Sequence, residues 1–389
     1  MVETTAEDGT ERTTVVVVPS ASGGLGHVAR TLKLMRALEA ADPCLRLIYG
    51  LDEVGLRPIN RDACERTGYP VRIIPNPVRH ERDERIRAAL GDADVVIEDT
   101  NRRLIAHRRL LPRLRAWISI PMLPIWDELH MDWPLLEHVD RILYAYPTVM
   151  PVPAELEPFR ARLTVTGPIL DPAEIPDRAE ARRRLGLDPN LRYLLYAPRG
   201  FPFGPWFGRR VLAGVVGGFM RLRATTPDLR LLLIAVPDPA AVQPPGLPPL
   251  TEIPGVTLTG VVSPEVARDH VAAADLVVLE GTSTLFDAAV ARTPVLMVPG
   301  LIYETWLEGT WVAAEDAGIV VRPEDATPAK MASLIRRALD PTAGPARADR
   351  LHRLVGTTGC DLAVAAVRAT IADRVPEHAA RAEAARREG

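Results

Sequence analysis

Short apolar runs rich in β-branched residues alternate along the chain with longer segments whose apolar residues recur every three to four positions. The first pattern predicts buried strands and the second amphipathic helices. Strands are predicted at 14–18, 45–49, 71–74, 95–97, 117–120 and 141–144, and then at 193–196, 231–234, 256–259, 276–279, 295–298 and 318–320. Helices are predicted at 28–40, 209–224, 264–273, 285–291 and 328–339. This alternation favours parallel sheets with crossover helices.

The alternating pattern occurs twice, and a proline-rich stretch, "TGPILDPAEIPDR", follows a short strand between the two series. We therefore expect two Rossmann-like, doubly wound α/β domains, 1–167 and 168–389. The helical alanine- and arginine-rich end of the chain is a candidate to pack back on the first domain. Two such domains that face each other form a cleft at the carboxyl ends of their strands, and ligands are expected there.

Composition narrows the class of protein. A hydrophobic fraction of 47% and a charged fraction of 25% are typical of a soluble globular protein. The polar start, "MVETTAEDGTERTT", lacks the features of a signal peptide, so a cytoplasmic location is expected. The net charge of −3 argues against a nucleic-acid partner. Three cysteines without a CxxC pair suggest neither a disulfide framework nor a zinc cage, and no cofactor or metal is expected.

The stretch "SASGGLGHVAR" lies between the first strand and the first helix. Its glycines, which include Gly24 and Gly26, permit close approach of a ligand to the backbone, and a helix amino terminus favours anions. His27 in the first turn could act as a general base, since imidazole titrates near neutrality. The alternatives are an ordinary glycine-rich turn and a capping or packing histidine.

The fourth strand ends in "DVVIEDTN", which places Glu98 and Asp99 at the same sheet edge as His27. Asp99 is the candidate partner that stabilises a protonated imidazole. An amino-terminal cap for a helix beginning near Arg102 is an equally good interpretation. The nearby Asp92 and Asp94 precede their strand, so we interpret them as a solvated turn and not as a metal site.

In the second series, "DLVVLEGTSTLFDAA" contains a buried strand that leads into a helix. Gly281, Thr282, Ser283 and Thr284 stand at the junction, where free amide groups suit a diphosphate. Asp287, one turn into the helix, could bind a ribose diol. The alternative is a capping box with Asp287 at the third position after Thr284.

Two further stretches carry weaker signals. "YAPRGFPFGPWFGRR" offers Arg199 and Gly200 to a phosphate, while its aromatic residues either stack on a ring or pack the loop. The cationic segment 101–115 is typical of a solvated helix face, and contact with an acidic acceptor or a peripheral contact with an anionic membrane is the alternative.

Taken together, these stretches resemble the GT-B glycosyltransferases, in particular the peptidoglycan UDP-GlcNAc transferase and the UDP-glycosyltransferases. The resemblance spans most of the chain. It rests on "GGLGHV", "VTGPI", "VTLTGVV", "AAADLVVLEGTSTLFDAAVARTPVLMVP" and "AAEDAGIVVRPEDATPAKMASLIRRAL", in this order. It implies an enzyme that transfers a sugar, with inversion and without a metal, from a nucleotide-diphosphate donor, UDP-linked in these families, to a hydroxyl of a small-molecule or lipid-like acceptor.

The resemblance also implies roles for individual residues. His27 would be the catalytic histidine and Asp99 its partner. Donor-binding positions would be Gly24, Gly26, Arg199, Gly200, Val261 and Val262 near the base, Gly281 to Thr284 at the diphosphate, Asp287 at the ribose and Glu304 at the sugar. The chain departs from the families in "GLIYETWLEGTW", which lacks their glutamine after Glu304, and in "RGFPFG", which replaces their Gly-Ser loop.

Two other functions remain open at this point. "GLGHVARTLKLM" and "EGTSTLFD" are also similar to a hydrolase that releases a deoxy-diacetamido sugar from UDP, in which the histidine would activate water. A catalytically inactive sugar-nucleotide-binding protein is the third interpretation. The segment 120–139 offers Trp126, Met131 and Trp133 to an apolar acceptor, which favours transfer over hydrolysis.

Overall fold

The computed structural model describes residues 12–20, 26–53, 68–75, 83–123, 133–198, 205–234, 243–260, 262–300, 302–356 and 359–388. Within them the chain forms two separate parallel sheets. The strands of the first are β1 (Thr13–Pro19), β2 (Leu45–Asp52), β3 (Val71–Ile74), β4 (Val95–Asp99), β5 (Ala116–Ile120), β6 (Arg141–Tyr144) and β7 (Leu163–Val165). Those of the second are β8 (Arg192–Ala197), β9 (Leu229–Ile234), β10 (Val256–Gly260), β11 (Leu276–Leu279), β12 (Val295–Met297) and β13 (Ile319–Val320).

The strand order places the direction reversal at one position in each sheet. The orders are β3-β2-β1-β4-β5-β6-β7 and β10-β9-β8-β11-β12-β13. The windings therefore change direction between β1 and β4 and between β8 and β11. In open parallel sheets, the crevice at this switch point, outside the carboxyl ends of the strands, is where ligands bind. The predicted α/β class with two doubly wound sheets is confirmed.

Helices connect most of the strands. They are α1 (Gly26–Ala41), α2 (Asp83–Leu90), α3 (Arg178–Arg184), α4 (Pro205–Arg223), α5 (Pro264–Ala273), α6 (Ser283–Val290), α7 (Tyr303–Ala314), α8 (Pro328–Ala338), α9 (Ala343–Val355), α10 (Cys360–Arg374) and α11 (Pro376–Glu388). Short 3₁₀ segments occupy Arg102–Leu110, Trp133–His138, Ala154–Arg162, Pro172–Glu174, Leu250–Glu252 and Pro323–Asp325. The cationic segment predicted as a helix is thus a 3₁₀ segment over its first two thirds.

The last two helices lie on the first sheet, although they follow the second sheet in sequence. Val364, Val367 and Ile371 of α10 are buried in one apolar cluster with β1 and β5. His378 of α11 is buried, and its ring nitrogens lie 3.0 Å from Thr13 Oγ1 and 3.0 Å from Asp42 Oδ2. The end of the chain therefore ties the two halves of the molecule together.

Among the described residues, the stretch Ala343–Arg374 is long and apolar enough to pass a length-and-composition test for a membrane span. Half of the most apolar part of this stretch is buried inside the protein. Gly356, with φ of 71°, ends α9 within it. A core helix passes the same test, and the burial of Leu351 and Val367 is what a core helix shows.

The interpretation of Asp92 and Asp94 as a solvated turn is wrong for Asp94. Its carboxylate is buried, accepts a hydrogen bond from the Thr14 amide at 2.9 Å and pairs with Arg113 at 2.9 Å. Asp92 binds Arg72 through both carboxylate oxygens. Asp94 thus ties the start of β1 to the start of β4, and Asp92 is tied to β3. Within the described part of the chain, no cluster of three or more His, Cys, Asp or Glu side chains could hold a metal.

Candidate active site between the two sheets

The first half of the site forms where the switch point of the first sheet opens. β1 ends at Pro19 beside Asp99, the last residue of β4, and α1 begins at Gly26. His27 Nδ1 consequently lies 2.9 Å from Asp99 Oδ1, although 72 residues separate the two. Asp99 is fully buried, whereas 16% of the His27 side chain remains exposed. The structure therefore joins the two residues as a dyad whose imidazole can reach the cleft.

Arg30 belongs to the same cluster, and sequence reasoning missed it. Its Nε donates to Asp99 Oδ2 at 2.8 Å and its Nη2 to Asp99 Oδ1 at 2.5 Å. The same Nη2 lies 3.1 Å from His27 Nδ1. The spacing of three residues from His27 on a helix places both side chains on one face, and this signal could have identified Arg30.

The charges in this cluster stabilise one another. Burial alone would raise the pKa of Asp99, but the positive charges of Arg30 and His27 outweigh it and hold this pKa well below its usual value. Burial opposes the charge of Arg30 as well, yet Asp99 keeps the pKa of the guanidinium above its usual value. Asp99 and Arg30 therefore form an ion pair at neutral pH, with the carboxylate ionised and the guanidinium charged.

Of the two residues next to Asp99, Thr100 contacts its carboxylate, and Glu98 is bound to other groups. Thr100 has φ of 63°, a left-handed conformation that is costly for a β-branched residue, and its hydroxyl donates to Asp99 Oδ1 at 2.9 Å. Glu98 accepts from the Asn101 amide at 2.6 Å and from the Ser119 hydroxyl. Asn101, at the cap position of the following segment, makes no side-chain cap bond. The cap position is thus Asn101 and not Asp99, whose carboxylate is bound by His27, Arg30 and Thr100, so the capping interpretation of Asp99 is wrong.

The second half of the site is the turn from β11 into α6. Gly281 has φ of 131°, a conformation that other residues rarely adopt, and a Cβ there would clash with the Glu308 carboxylate and lie 3.0 Å from Met297 Cε, so this turn favours glycine. Thr282 takes the cap position with φ of 64°, makes no side-chain cap bond, and donates its amide to Glu308 Oε2 at 2.6 Å. The predicted alternative of a capping box is thus not what the structure shows. The first-turn amides of α6 lack acceptors within their own helix.

The two halves approach each other at the amino termini of α1 and α6. A Cβ on Gly26 would lie 3.0 Å from Ser283 Oγ, so the absence of a side chain permits this contact. Farther along the same helices, Lys33 Nζ lies 3.4 Å from Asp287 Oδ1. Two helix amino termini, each equivalent to a partial positive charge, therefore converge at one point of the cleft.

A further hydrogen bond crosses between the two halves. Tyr146, just after β6, donates its hydroxyl to Glu304 Oε1 of α7 at 2.6 Å and accepts from the Leu123 amide at 3.1 Å. Both side chains are buried. Burial, and then the negative charge of Glu304, hold the pKa of Tyr146 well above its usual value, so the phenol stays protonated as a donor. Tyr146 was not a predicted site residue.

Not all predicted residues can be placed. Val262 follows β10 and is partly exposed. Gly24, Trp126, Met131, Arg199, Gly200 and Val261 lie outside the described residues. Trp133 begins a 3₁₀ segment, but the structure describes only its backbone and not its side chain.

Known structures resemble this chain over more than nine tenths of its length. The glycosyltransferase of kitacinnamycin covers 93% of this chain and 99% of its own, with a TM-score of 0.64 at 16% identity. MurG of Acinetobacter baumannii covers 92% of this chain and 99% of its own, with a TM-score of 0.57 at 13% identity. The chain has the GT-B fold. No protein-family model matches the chain, and no curated protein matches it by sequence.

The GT-B fold does not by itself decide the reaction. A Listeria monocytogenes structure described as a UDP-N-acetylglucosamine 2-epimerase covers 94% of this chain and 97% of its own, with a TM-score of 0.64 at 12% identity. Function must therefore be inferred from the site of this GT-B chain and not from its fold.

Proposed function

We propose that the protein is a glycosyltransferase that moves a sugar from a nucleotide-diphosphate donor, UDP-linked in the first instance, to the hydroxyl of a small-molecule or lipid-like acceptor. The observation that carries this proposal is the position of the His27–Asp99 dyad opposite the amino terminus of α6. A base and an anion site face each other across one cleft. This is the pair of groups that a displacement at an anomeric carbon requires.

In the proposed reaction, His27 Nε2 accepts the proton of the acceptor hydroxyl while Nδ1–H donates to Asp99. The acceptor oxygen forms a bond to the anomeric carbon as the bond from that carbon to the diphosphate oxygen breaks. The electron pair of the broken bond leaves with the nucleoside diphosphate, and the proton ends on His27. Asp99 stabilises the imidazolium. Such a base increases the reaction rate by about 10²–10⁴-fold. A single displacement of this kind inverts the anomeric configuration.

The growing negative charge of the leaving group is stabilised where α1 and α6 converge. We assign the diphosphate to Gly281, Thr282, Ser283 and Thr284, with Gly24 and Gly26 opposite, and the reaction as proposed uses no metal. Because Glu308 already takes the Thr282 amide, Ser283 and Thr284 supply the amides for the diphosphate. Arg199 and Gly200 are proposed as further phosphate contacts.

The remaining donor and acceptor contacts are proposals of the same kind. Backbone at Val261 and Val262 would meet the base, Asp287 the ribose and Glu304 the sugar, while Trp126, Met131 and Trp133 would line the acceptor side. Asp287 would exchange its contact with Lys33 for the ribose when the donor binds. We place the acceptor in a domain spanning 1–167 and the donor in one spanning 168–389, in a cytoplasmic protein of natural-product or cell-envelope glycosylation whose membrane contact, if any, is peripheral.

The proposal is tested by incubating the protein with UDP- and dTDP-sugars, with and without hydroxyl-bearing acceptors from a cell extract. We expect release of the nucleoside diphosphate to depend on the acceptor, and NMR of the product to show an inverted anomeric centre. Acceptor-independent release of free sugar would replace transfer by hydrolysis. Binding of a sugar nucleotide with no turnover under any condition would leave a non-catalytic binding protein.

A further inference from the structure

Arg30 is bound to both members of the dyad, and the proposed mechanism does not use it. Its guanidinium grips both oxygens of Asp99, at 2.8 Å from Nε and 2.5 Å from Nη2. It also places Nη2 at 3.1 Å from the ring nitrogen of His27 that faces Asp99. The guanidinium therefore lies against the imidazole as well as against the carboxylate.

Asp99 Oδ1 is contacted by three groups that can donate. These are His27 Nδ1 at 2.9 Å, Arg30 Nη2 at 2.5 Å and the Thr100 hydroxyl at 2.9 Å. Because a guanidinium is donor-only and always charged, Arg30 competes with His27 for this oxygen. A protonated imidazole would add a second positive charge beside the guanidinium in a largely buried setting.

The other charged groups around the dyad are farther along the elements that pack against it. Glu304 of α7 and Tyr146 after β6 act on Arg30 from the opposite side of the cleft. Lys33 of α1 and Asp287 of α6 pair with each other. Within the described residues, Arg30 is thus the cation that bears most directly on the protonation of His27.

We propose that Arg30 is a positioning residue that keeps His27 neutral, and so able to accept a proton, down to a lower pH than the Asp99 carboxylate alone would allow. The inference rests on the proposed function, in which His27 is the base. Asp99 orients the ring and favours the imidazolium, and Arg30 limits that preference.

The test compares the pH dependence of kcat/KM for the wild-type protein, Arg30→Met, Arg30→Gln and Arg30→Lys. Arg336→Met, at an exposed position of α8, is the matched control. We expect the acid limb of the profile to move to higher pH by about one unit in the two uncharged variants, since a nearby like charge has an effect of this order. Arg30→Lys, which keeps the charge, should leave the limb within about 0.3 unit of the wild type, as should the control.

A profile that falls by one constant factor at all pH values in Arg30→Gln and Arg30→Met, with an unmoved acid limb, would overturn the inference and leave Arg30 a structural residue. NMR of the His27 ring nitrogens in the donor-free protein gives a second readout, independent of turnover. If the His27 ring becomes protonated at a higher pH in Arg30→Gln than in the wild type, while His27→Ala keeps full activity, the Arg30 inference holds and the proposed function fails. If the pH at which the His27 ring becomes protonated is the same in Arg30→Gln and Arg30→Met as in the wild type, the Arg30 inference fails regardless of the reaction.

Discussion

The two sides of the cleft are each built from a parallel strand that leads into a helix, but they hold different groups at the junction. At the first sheet, a histidine, a carboxylate and a guanidinium lie within 3.1 Å of one another. At the second sheet, the junction is a glycine with φ of 131° followed by three hydroxyl residues. Under the proposed function, the first side would move a proton and the second would hold an anion. The two junctions share one backbone plan and differ in their side chains: the helix and the neighbouring strand supply them on the first side, and the turn itself supplies them on the second.

The largest expected effect comes from His27 on the first side. His27→Ala should lower kcat by about 10²–10⁴-fold, because the acceptor proton then has no base, and steady-state kinetics of nucleoside diphosphate release would measure it. His138→Ala, at an exposed histidine outside the cleft, is the control and should be unaffected. Full activity in His27→Ala would remove the proposed mechanism.

The second effect concerns the stability that the buried ion pair contributes. Asp99→Asn leaves Arg30 without its counter-charge and should lower the free energy of unfolding by about 3–5 kcal/mol at pH 7. Asp228→Asn breaks an equally bidentate pair with Arg192 that is exposed, and should lower it by less than about 1 kcal/mol. Urea unfolding of the two variants measures the difference.

The same pair predicts a pH dependence with a definite sign. Although burial raises the pKa of Asp99, Arg30 and His27 lower it to a value below that of the unfolded chain. The stability from this group is therefore fully present above the unfolded carboxyl value of about 3.9 and is lost as pH falls through the folded value. The gap between the wild type and Asp99→Asn should narrow below about pH 4. A gap that widened on acidification would show that Asp99 is not an ionised partner.

The third effect tests the other side of the cleft. Gly281→Ala forces a side chain into the space of Glu308 at a positive φ and should lower the free energy of unfolding by roughly 2–4 kcal/mol. Gly246, with φ of 77° and no atom within 4 Å of the position that a Cβ would take, isolates the backbone contribution. Gly246→Ala should lower the free energy of unfolding by about 1–2 kcal/mol and leave the affinity for UDP unchanged. Gly281→Ala should weaken UDP binding. An equal loss of UDP affinity in Gly281→Ala and Gly246→Ala would contradict the proposed role of the Gly281 turn in binding the diphosphate.

The smallest effect is expected at the hydrogen bond that joins the two sides. Tyr146→Phe removes the hydroxyl that donates a hydrogen bond to Glu304. It should raise the KM for the sugar nucleotide by about three- to tenfold. Tyr144→Phe is the matched control on the preceding strand, because its hydroxyl donates to the Pro151 carbonyl and not to Glu304. A donor KM that changes alike in both variants would assign the effect to packing.

The strands were predictable because each contains a short, mostly apolar run, and β3, β6 and β11 were predicted to the residue. The meeting of His27 with Asp99 could be inferred as well, since both follow strands that are neighbours at a switch point. Arg30 could have been inferred from its three-residue spacing to His27 on α1, but Tyr146 and Glu308 could not be assigned in this way. Their roles depend on which way a side chain turns and on contacts between elements remote in sequence, and neither leaves a periodic signal.

The division of tasks between the two sides is tested most directly by the affinity of His27→Ala for UDP and dTDP, measured by isothermal titration calorimetry alongside turnover. We expect the dissociation constant to stay within about twofold of the wild-type value while kcat falls by about 10²–10⁴-fold, since the base acts on the acceptor and not on the diphosphate. A loss of nucleotide affinity in proportion to the loss of turnover would contradict this account, because His27 would then belong to the binding of the donor and not to the movement of the proton.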